Sequence, residues 1–403
     1  ASGSLSVNEL DLTLKGSQLD LGGITSWFPQ TKDTVIRGKA NMEVRASGSF
    51  SEPILDGKVS MGRGTLEFPA HNDICYYIDS FETFFRFEEQ ELEITKLEIA
   101  QKDARFQARG LVDNKGNMKL NVLTQAFDLA ENLQFLRAYG IGGKANMVGV
   151  LSGTVLRPDF RGELYVARGT LWGQPYDELR GHVALDLNDL ELTGWNLRKG
   201  RAIYSLGGSI AFGSAPEVDL VLQSSGGRAE DLLAALRIPG DLVGRLDGTV
   251  EFRRTKGVNI TRGEIFMSDA RYQDQAFDSG SVEFVMEPGR IAISHGTVAL
   301  GGGTLNFSGV TQKDGTLVLD VNVQNILAEK IPLLKDLSET VQDRVNMTGT
   351  ASLRGSLDKP WLRMHLALDE PFSKSTSMEV DVLLHGRQIV VNSRDVKIPP
   401  RSN

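Results

Sequence analysis

The feature that most constrains this chain is a strict alternation of apolar and polar residues, which recurs along almost its whole length. A period of two is typical of a β-strand with one buried face. One example is the set Tyr204, Leu206, Ile210 and Phe212, whose members share one parity. Turn sequences such as Lys313-Asp-Gly315 separate these segments. Since a strand and its turn take roughly 10–15 residues, the pattern predicts about 25 strands, largely in antiparallel meanders.

An internal repeat organises these strands, with a period of about 100 residues. Lys39-Ala-Asn-Met42 recurs as Lys144-Ala-Asn-Met147 and, loosely, as Arg344-Val-Asn-Met347. Each copy leads into a glycine, four residues and a proline, whereas a weaker copy at Gly248-Thr-Val lacks the proline. We therefore expect one continuous repeat array with approximate units 1–110, 111–215, 216–315 and 316–403.

Each unit also contains one short segment with helical spacing of its apolar residues. These segments are Ile24–Phe28, Ala130–Tyr139, Arg228–Arg237 and Leu327–Val341. We interpret them as amphipathic helices that pack on the sheet, in preference to lids over its opening.

Four short helices cannot cover the apolar face of so many strands, so the sheet must curl on itself or hold another molecule there. The predicted fold class is all-β: a long curved antiparallel repeat sheet, an open half-pipe with a hydrophobic groove and a few short amphipathic helices. Charged residues such as Glu91, Glu163 and Glu283 take the opposite parity. An uncovered apolar strip of this length exceeds what soluble monomers usually expose, so it should bind something long and apolar.

The candidate groove residues are apolar side chains on the alternating positions. Some of them are expected to be plain core that contacts the opposite wall. They are Leu92, Ile94, Phe106, Leu164, Val166, Leu171, Val183, Leu185, Tyr204, Leu206, Ile210, Phe212, Val250, Phe252, Val282, Phe284, Ile291, Ile293, Leu305, Phe307, Leu319 and Val321.

The sequence gives no support for catalysis, a cofactor or a metal. His71, His182, His295, His365 and His385 are scattered without ligand spacing. Cys75 is the single cysteine, and we expect it to be a small buried hydrophobe. The net charge of −8 is spread evenly and no basic stripe is present, which argues against nucleic acid as a partner. We therefore expect a protein that is not an enzyme.

The repeated motif carries a family resemblance. The pattern Gly-x-x-x-x-Pro-x-apolar-x-Gly, followed by a strand and Arg-Gly-Thr-Leu, occurs at Gly48–Leu66 and at Gly153–Leu171. It resembles the TamB and AsmA-like proteins of double-membraned bacteria. The resemblance implies a curved sheet called a β-taco, a periplasmic location, and transport of phospholipids that supports outer-membrane biogenesis. It also implies an inner-membrane anchor and an outer-membrane barrel partner, both outside this chain.

The termini fit that expectation, since Ala1-Ser-Gly-Ser4 and Ile398-Pro-Pro-Arg-Ser-Asn403 suggest a fragment of a longer protein. The leading functional hypothesis is intermembrane phospholipid transport, in which acyl chains lie in the groove. The alternative is an assembly scaffold or chaperone for outer-membrane proteins, which would act by adding a client strand to an exposed sheet edge.

Overall fold

The structure is a computed structural model, and its description covers most of the chain. The residues described are 2–5, 9–21, 35–68, 74–132, 140–154, 157–171, 173–213, 215–231, 242–272, 275–311, 316–327, 346–356, 359–369, 376–385 and 388–397. They fall into two compact units, Ala1–Lys199 and Gly200–Asn403.

In its described residues the first unit contains β-strands and a helical turn, α1 (Leu129–Asn132), which follows β9. Its strands are β1 (Ser2–Leu5), β2 (Leu10–Asp20), β3 (Val35–Gly48), β4 (Pro53–Phe68), β5 (Ile74–Ile78), β6 (Ser80–Glu88), β7 (Glu91–Gln101), β8 (Ala104–Val112), β9 (Asn117–Asp128), β10 (Gly142–Thr154), β11 (Arg157–Leu171), β12 (Gln174–Leu185) and β13 (Asp189–Lys199).

The second unit continues in the same style. Its strands are β14 (Ala202–Ala211), β15 (Glu217–Arg228), β16 (Leu242–Thr255), β17 (Val258–Tyr272), β18 (Gln275–Glu287), β19 (Arg290–Leu300), β20 (Gly303–Thr311), β21 (Leu317–Leu327), β22 (Asn346–Ser356), β23 (Lys359–Asp369), β24 (Thr376–His385) and β25 (Gln388–Lys397).

Within each unit the strands form an open antiparallel meander, in which each strand pairs with the next along the chain. β4 is the exception, because it pairs with β6 along one half and with β5 along the other. The predicted all-β antiparallel class is confirmed.

Alternation gives each sheet an apolar face and a polar face, as predicted. Phe284 on β18 lies opposite Gly263 on β17 and Ile293 on β19, and all three belong to the apolar face. The preceding residue, Glu283, lies opposite Glu264 and belongs to the polar face. We use the terms apolar face and polar face in this sense for both units.

Bulges change the parity of the pattern without changing the face. In β7 the apolar face is occupied by Leu92 and Ile94 and then by Leu97 and Ile99, which have the opposite parity. The register between β7 and β8 shifts between Ile94 and Leu97, so an extra residue is accommodated there.

One kind of bulge recurs four times among the described residues and is capped in the same way each time. A residue with φ between 52° and 62° donates its backbone N–H to a side-chain oxygen on the next long strand. The donor and acceptor pairs are Gln18 with Asn41, Ala126 with Asn146, Gly226 with Asp247, and Asn325 with Thr348, at 3.2, 3.0, 2.6 and 3.3 Å.

These capped bulges are the structural form of the sequence repeat. Asn41 and Asn146 are the asparagines of the first two motif copies, and Asp247 directly precedes the weaker copy at Gly248. In the last copy the cap is Thr348, two residues beyond the Asn346 that the motif aligns with Asn41. The loose third match therefore identifies the strand that carries the cap, β22, but is offset from the capping residue by two positions.

The predicted helical segments are only partly described. α1 lies at the start of the second segment, and Ala229–Asp231 within the third is helical. The first segment, Ile24–Phe28, lies outside the described residues, as does 328–341 of the fourth; Leu327 itself ends β21. Among the described residues, no helix is long and apolar enough to cross a bilayer.

Candidate functional site

The apolar face of each unit contains a cross-strand row made only of apolar residues and glycine. In the first unit the row runs from β2 to β13 through Leu14, Val44, Gly57, Phe85, Ile94, Gly110, Leu120, Leu151, Phe160, Leu185 and Leu190. In the second it runs from β14 to β22 through Leu206, Leu222, Val250, Gly263, Phe284, Ile293, Gly309, Leu319 and Leu353.

Each row is long compared with a lipid tail. Neighbouring strands lie about 4.7–4.9 Å apart, so either row extends for about 40–50 Å along the sheet. Half of a bilayer's hydrocarbon core is about 15 Å thick. A row therefore offers apolar contact along more than the length of one acyl chain.

The candidate groove residues predicted from the sequence map onto the apolar face. Most of the strand residues among them pair with apolar residues, glycine, threonine or serine across the strands, whereas Leu171 lies opposite Gln174. Phe212 lies just beyond the end of β14 and is exposed. Val166, by contrast, is fully buried against Ala145, Leu129 and Tyr176, so it is core.

Exposure differs between the two ends of the strands. At the end that carries the capped bulges, apolar side chains are packed: Ala40, Ala145, Val166, Leu246, Ile326 and Met347 are all buried. We call this the packed end. Towards the other end, which we call the open end, the apolar face is exposed at Leu14, Leu185, Phe252 and Met286, by 37–41%, although Ala46 and Leu120 are buried.

Aromatic rings on the apolar face lie over glycines of the neighbouring strand. A Cβ atom added at Gly57 would come within 2.2 Å of the Phe85 ring, and one added at Gly263 within 2.6 Å of the Phe284 ring. The glycines thus make room for rings that lie along the sheet, an arrangement known to stabilise strand glycines. The same contact joins Gly296 with Phe307 and Gly181 with Trp195.

A few polar groups interrupt this apolar surface. The Thr124 and Tyr176 hydroxyls are buried without a hydrogen-bond partner among the described residues, and burial raises the pKa of Tyr176 to about 12. Arg254 lies near the open end of β16, opposite Val218 and Asn259. Its Nε is buried and has no hydrogen-bond partner in the described part of the chain.

The polar face is held by cross-strand ion pairs. Glu82 accepts hydrogen bonds from Lys58 at 2.8 Å and Lys96 at 2.9 Å, and these hold the pKa of Glu82 below its usual value. The Lys58 ammonium also lies 4.8 Å from the centre of the Phe84 ring. Such exposed pairs individually contribute little to the free energy of unfolding, but they keep this face hydrated.

We also searched the described residues for a metal site and located the single cysteine. No group of three or more His, Cys, Asp and Glu side chains that could hold a metal is present among them. Cys75 is exposed, so the prediction that it is buried was wrong. It lies on the short β5, where its neighbour Tyr77 is also largely exposed.

Several residues of the rows were missed by the sequence analysis. They include Phe85, Leu120, Leu151, Phe160 and Leu222. The signal that identifies them is the same alternation, for example Met118, Leu120 and Val122 on β9. What the alternation could not supply is the register that joins them across strands.

Comparisons with protein-family models, with curated proteins and with solved structures found no match to this chain.

Proposed function

We propose that this protein binds phospholipid acyl chains on its apolar faces and carries phospholipids between two membranes. The observation that carries the proposal is the pair of uncharged rows, one in each unit, that run across successive strands and stay partly exposed. For acyl chains lying across the strands, each CH₂ group removed from water would contribute about 0.8 kcal/mol to the free energy of binding.

The surface of the rows suits movement as well as binding. Because the Phe85 and Phe284 rings lie over glycines, they lie along the surface of the sheet and do not project into the path of a lipid. A lining of Leu, Val, Ile and Phe offers similar contacts at every strand, so a lipid meets no deep trap between neighbouring positions.

Arg254 suits a lipid headgroup. It lies at the open end, next to the exposed Phe252 on the same face, and its Nε has no hydrogen-bond partner in the described residues. A guanidinium group binds phosphate oxygens through several donors. A phospholipid whose tails lie on the row of the second unit would have its phosphate at the open end, near Arg254.

The resemblance to TamB and AsmA-like proteins suggests where such transport would occur. On that basis we propose a periplasmic location, an anchor at the inner membrane in a segment outside this chain, and an outer-membrane barrel partner. The role would then be a supply of phospholipid for outer-membrane biogenesis.

The test is mass spectrometry of organic extracts from protein purified without detergent. We expect stoichiometric phospholipid, reduced severalfold by Phe284→Asp and by Leu206→Asp. In the first unit, Phe85→Asp should act likewise, whereas the adjacent Phe84→Asp is the matched control, because Phe84 lies on the polar face beside Lys58 and Lys96.

Folded, lipid-free wild-type protein would overturn the proposal. Purified protein that instead bound a strand peptide from an outer-membrane protein would favour the assembly scaffold. Equal lipid content in Phe84→Asp and Phe85→Asp proteins would show that the lipid is not held on the apolar face.

A further inference from the structure

The polar face of the second unit contains a cavity that the proposed lipid transport does not use. It has a volume of about 630 Å³, is open to solvent, and is lined by residues of β19 to β23, mostly polar ones together with Phe307, Val321 and Ala351. Pockets for small ligands typically have volumes of about 300–1,000 Å³. This cavity is therefore large enough for a ligand of two or more sugar rings.

The register of the sheet brings its polar side chains into two adjacent rows. Asn306 on β20 lies opposite Asn322 on β21, which lies opposite Thr350 on β22, which lies opposite His365 on β23. In the second row, Asp320 is joined to Arg363 through Ser352. The Thr297 hydroxyl donates a hydrogen bond to Asn306 Oδ1 at 3.0 Å and so orients that amide.

This composition differs from that of the polar face elsewhere. In the first unit the same face carries lysine–glutamate pairs such as Lys58 with Glu82. A second cavity, of about 550 Å³ on β16 to β18, is lined by Glu251, Glu264 and Glu283 with one arginine, and is acidic. The β19–β23 cavity instead has amide and hydroxyl groups at its centre.

These groups select a class of ligand. Side-chain amides donate and accept hydrogen bonds at once, which is what a molecule with many hydroxyl groups requires. Asp320 and Arg363 offset each other's charge, so the cavity has no net charge to attract an anion or a cation.

We infer that this cavity binds a neutral carbohydrate, in the form of a short oligosaccharide. Polar side chains of the first row, Asn306, Asn322, Thr350 and His365, recur at the strand spacing of about 4.8 Å across the cavity, close to the length of one sugar unit. Asn306 and Asn322 contact hydroxyls of two adjacent rings, and Thr350 and His365 contact those of the rings that follow.

The experiment screens the full chain against an array of neutral oligosaccharides built from glucose, mannose, galactose or N-acetylglucosamine. Titration calorimetry then measures the affinity of the strongest binder. We expect Asn322→Ala and Asn306→Ala each to weaken that affinity about tenfold, the loss of one good hydrogen bond. Asn121→Ala is the matched control: Asn121 is an exposed asparagine on the polar face of β9, and its removal should leave the affinity unchanged.

Three results would overturn the inference. The first is an array on which no neutral oligosaccharide binds. The second is binding that Asn306→Ala and Asn322→Ala leave intact while circular dichroism shows a folded protein. The third is a preference for glycerol phosphate or another anion over the neutral sugars. Lipid content, measured in the same preparations, should not change, which separates this site from the apolar face.

Discussion

The packed end and the open end of the apolar face have the same alternating sequence and differ in what covers them. At the packed end, Ile326 and Met347 are almost completely buried, and at the open end Phe252 and Met286 remain exposed by more than a third. The capped bulges lie at the packed end, and a bulged strand bends there. The comparison teaches that hydrophobic alternation selects a face, whereas local backbone geometry decides which part of that face becomes core.

The largest expected effect contrasts truncation at the two ends. Ile326→Ala should lower the free energy of unfolding by about 2–5 kcal/mol, because it leaves a cavity in a fully packed cluster. Met286→Ala should cost much less, since its side chain keeps contact with solvent. Urea unfolding followed by circular dichroism measures both. Equal losses would mean that the two ends are packed alike.

A smaller effect is expected where rings cover glycines. Gly263→Ala places a methyl group against the Phe284 ring and should destabilise the protein by about 1–3 kcal/mol. Combining it with Phe284→Leu should recover part of the loss, because the smaller side chain makes room. A double-mutant cycle in thermal unfolding measures the coupling, and additive effects would argue against the contact.

The caps should have effects of about 1 kcal/mol. Asn146→Ala removes the acceptor for the Ala126 N–H, so it should cost about 0.5–1.5 kcal/mol and loosen the packed end of that repeat. Hydrogen exchange of the β9 and β10 amides measures the loosening. Exchange that accelerates equally at the open end of these strands would contradict a role confined to the bulge.

Thr124→Val tests a buried hydroxyl that has no partner among the described residues. The substitution keeps the shape and removes a polar group from the apolar face, so it should leave stability unchanged or raise it by about 1 kcal/mol. The melting temperature measures this. A clear fall would show that the hydroxyl has a partner in solution.

The smallest effect concerns the polar face and pH. Lys58 and Lys96 hold the pKa of Glu82 below its unfolded value, so its contribution to stability is present at neutral pH and is lost as the pH falls through the lowered folded pKa. Glu82→Gln should remove that part of the acid dependence. Urea midpoints measured across the acid range test it, and an unchanged pH profile would contradict the assignment.

The sequence was sufficient to predict the class of fold and the two faces, because alternation reports directly which side of a strand is buried. It was also sufficient to locate the repeats, since Asn41 and Asn146 stand in matching motifs. It could not identify Thr348 as the cap of the last repeat. A threonine hydroxyl replaces the asparagine amide there, and the motif instead aligns Asn346 with Asn41.

Exposure was the part that alternation could not predict. Val166 and Leu185 occupy equivalent parities in neighbouring strands, yet one is core and the other is exposed, since they lie at opposite ends of their strands. Cys75 was misjudged because residue type alone suggested burial, whereas its place on a short strand leaves it accessible. The polar cavity was missed because Asn306, Asn322 and Thr350 come together only through the register.

The capped bulges make each repeat a self-contained module. Every cap joins residues on two neighbouring strands, so its geometry depends on no distant part of the chain. Inserting one whole repeat of six strands would add about 29 Å to the sheet without altering the caps on either side. Gene duplication can therefore lengthen such a sheet in fixed steps of one repeat.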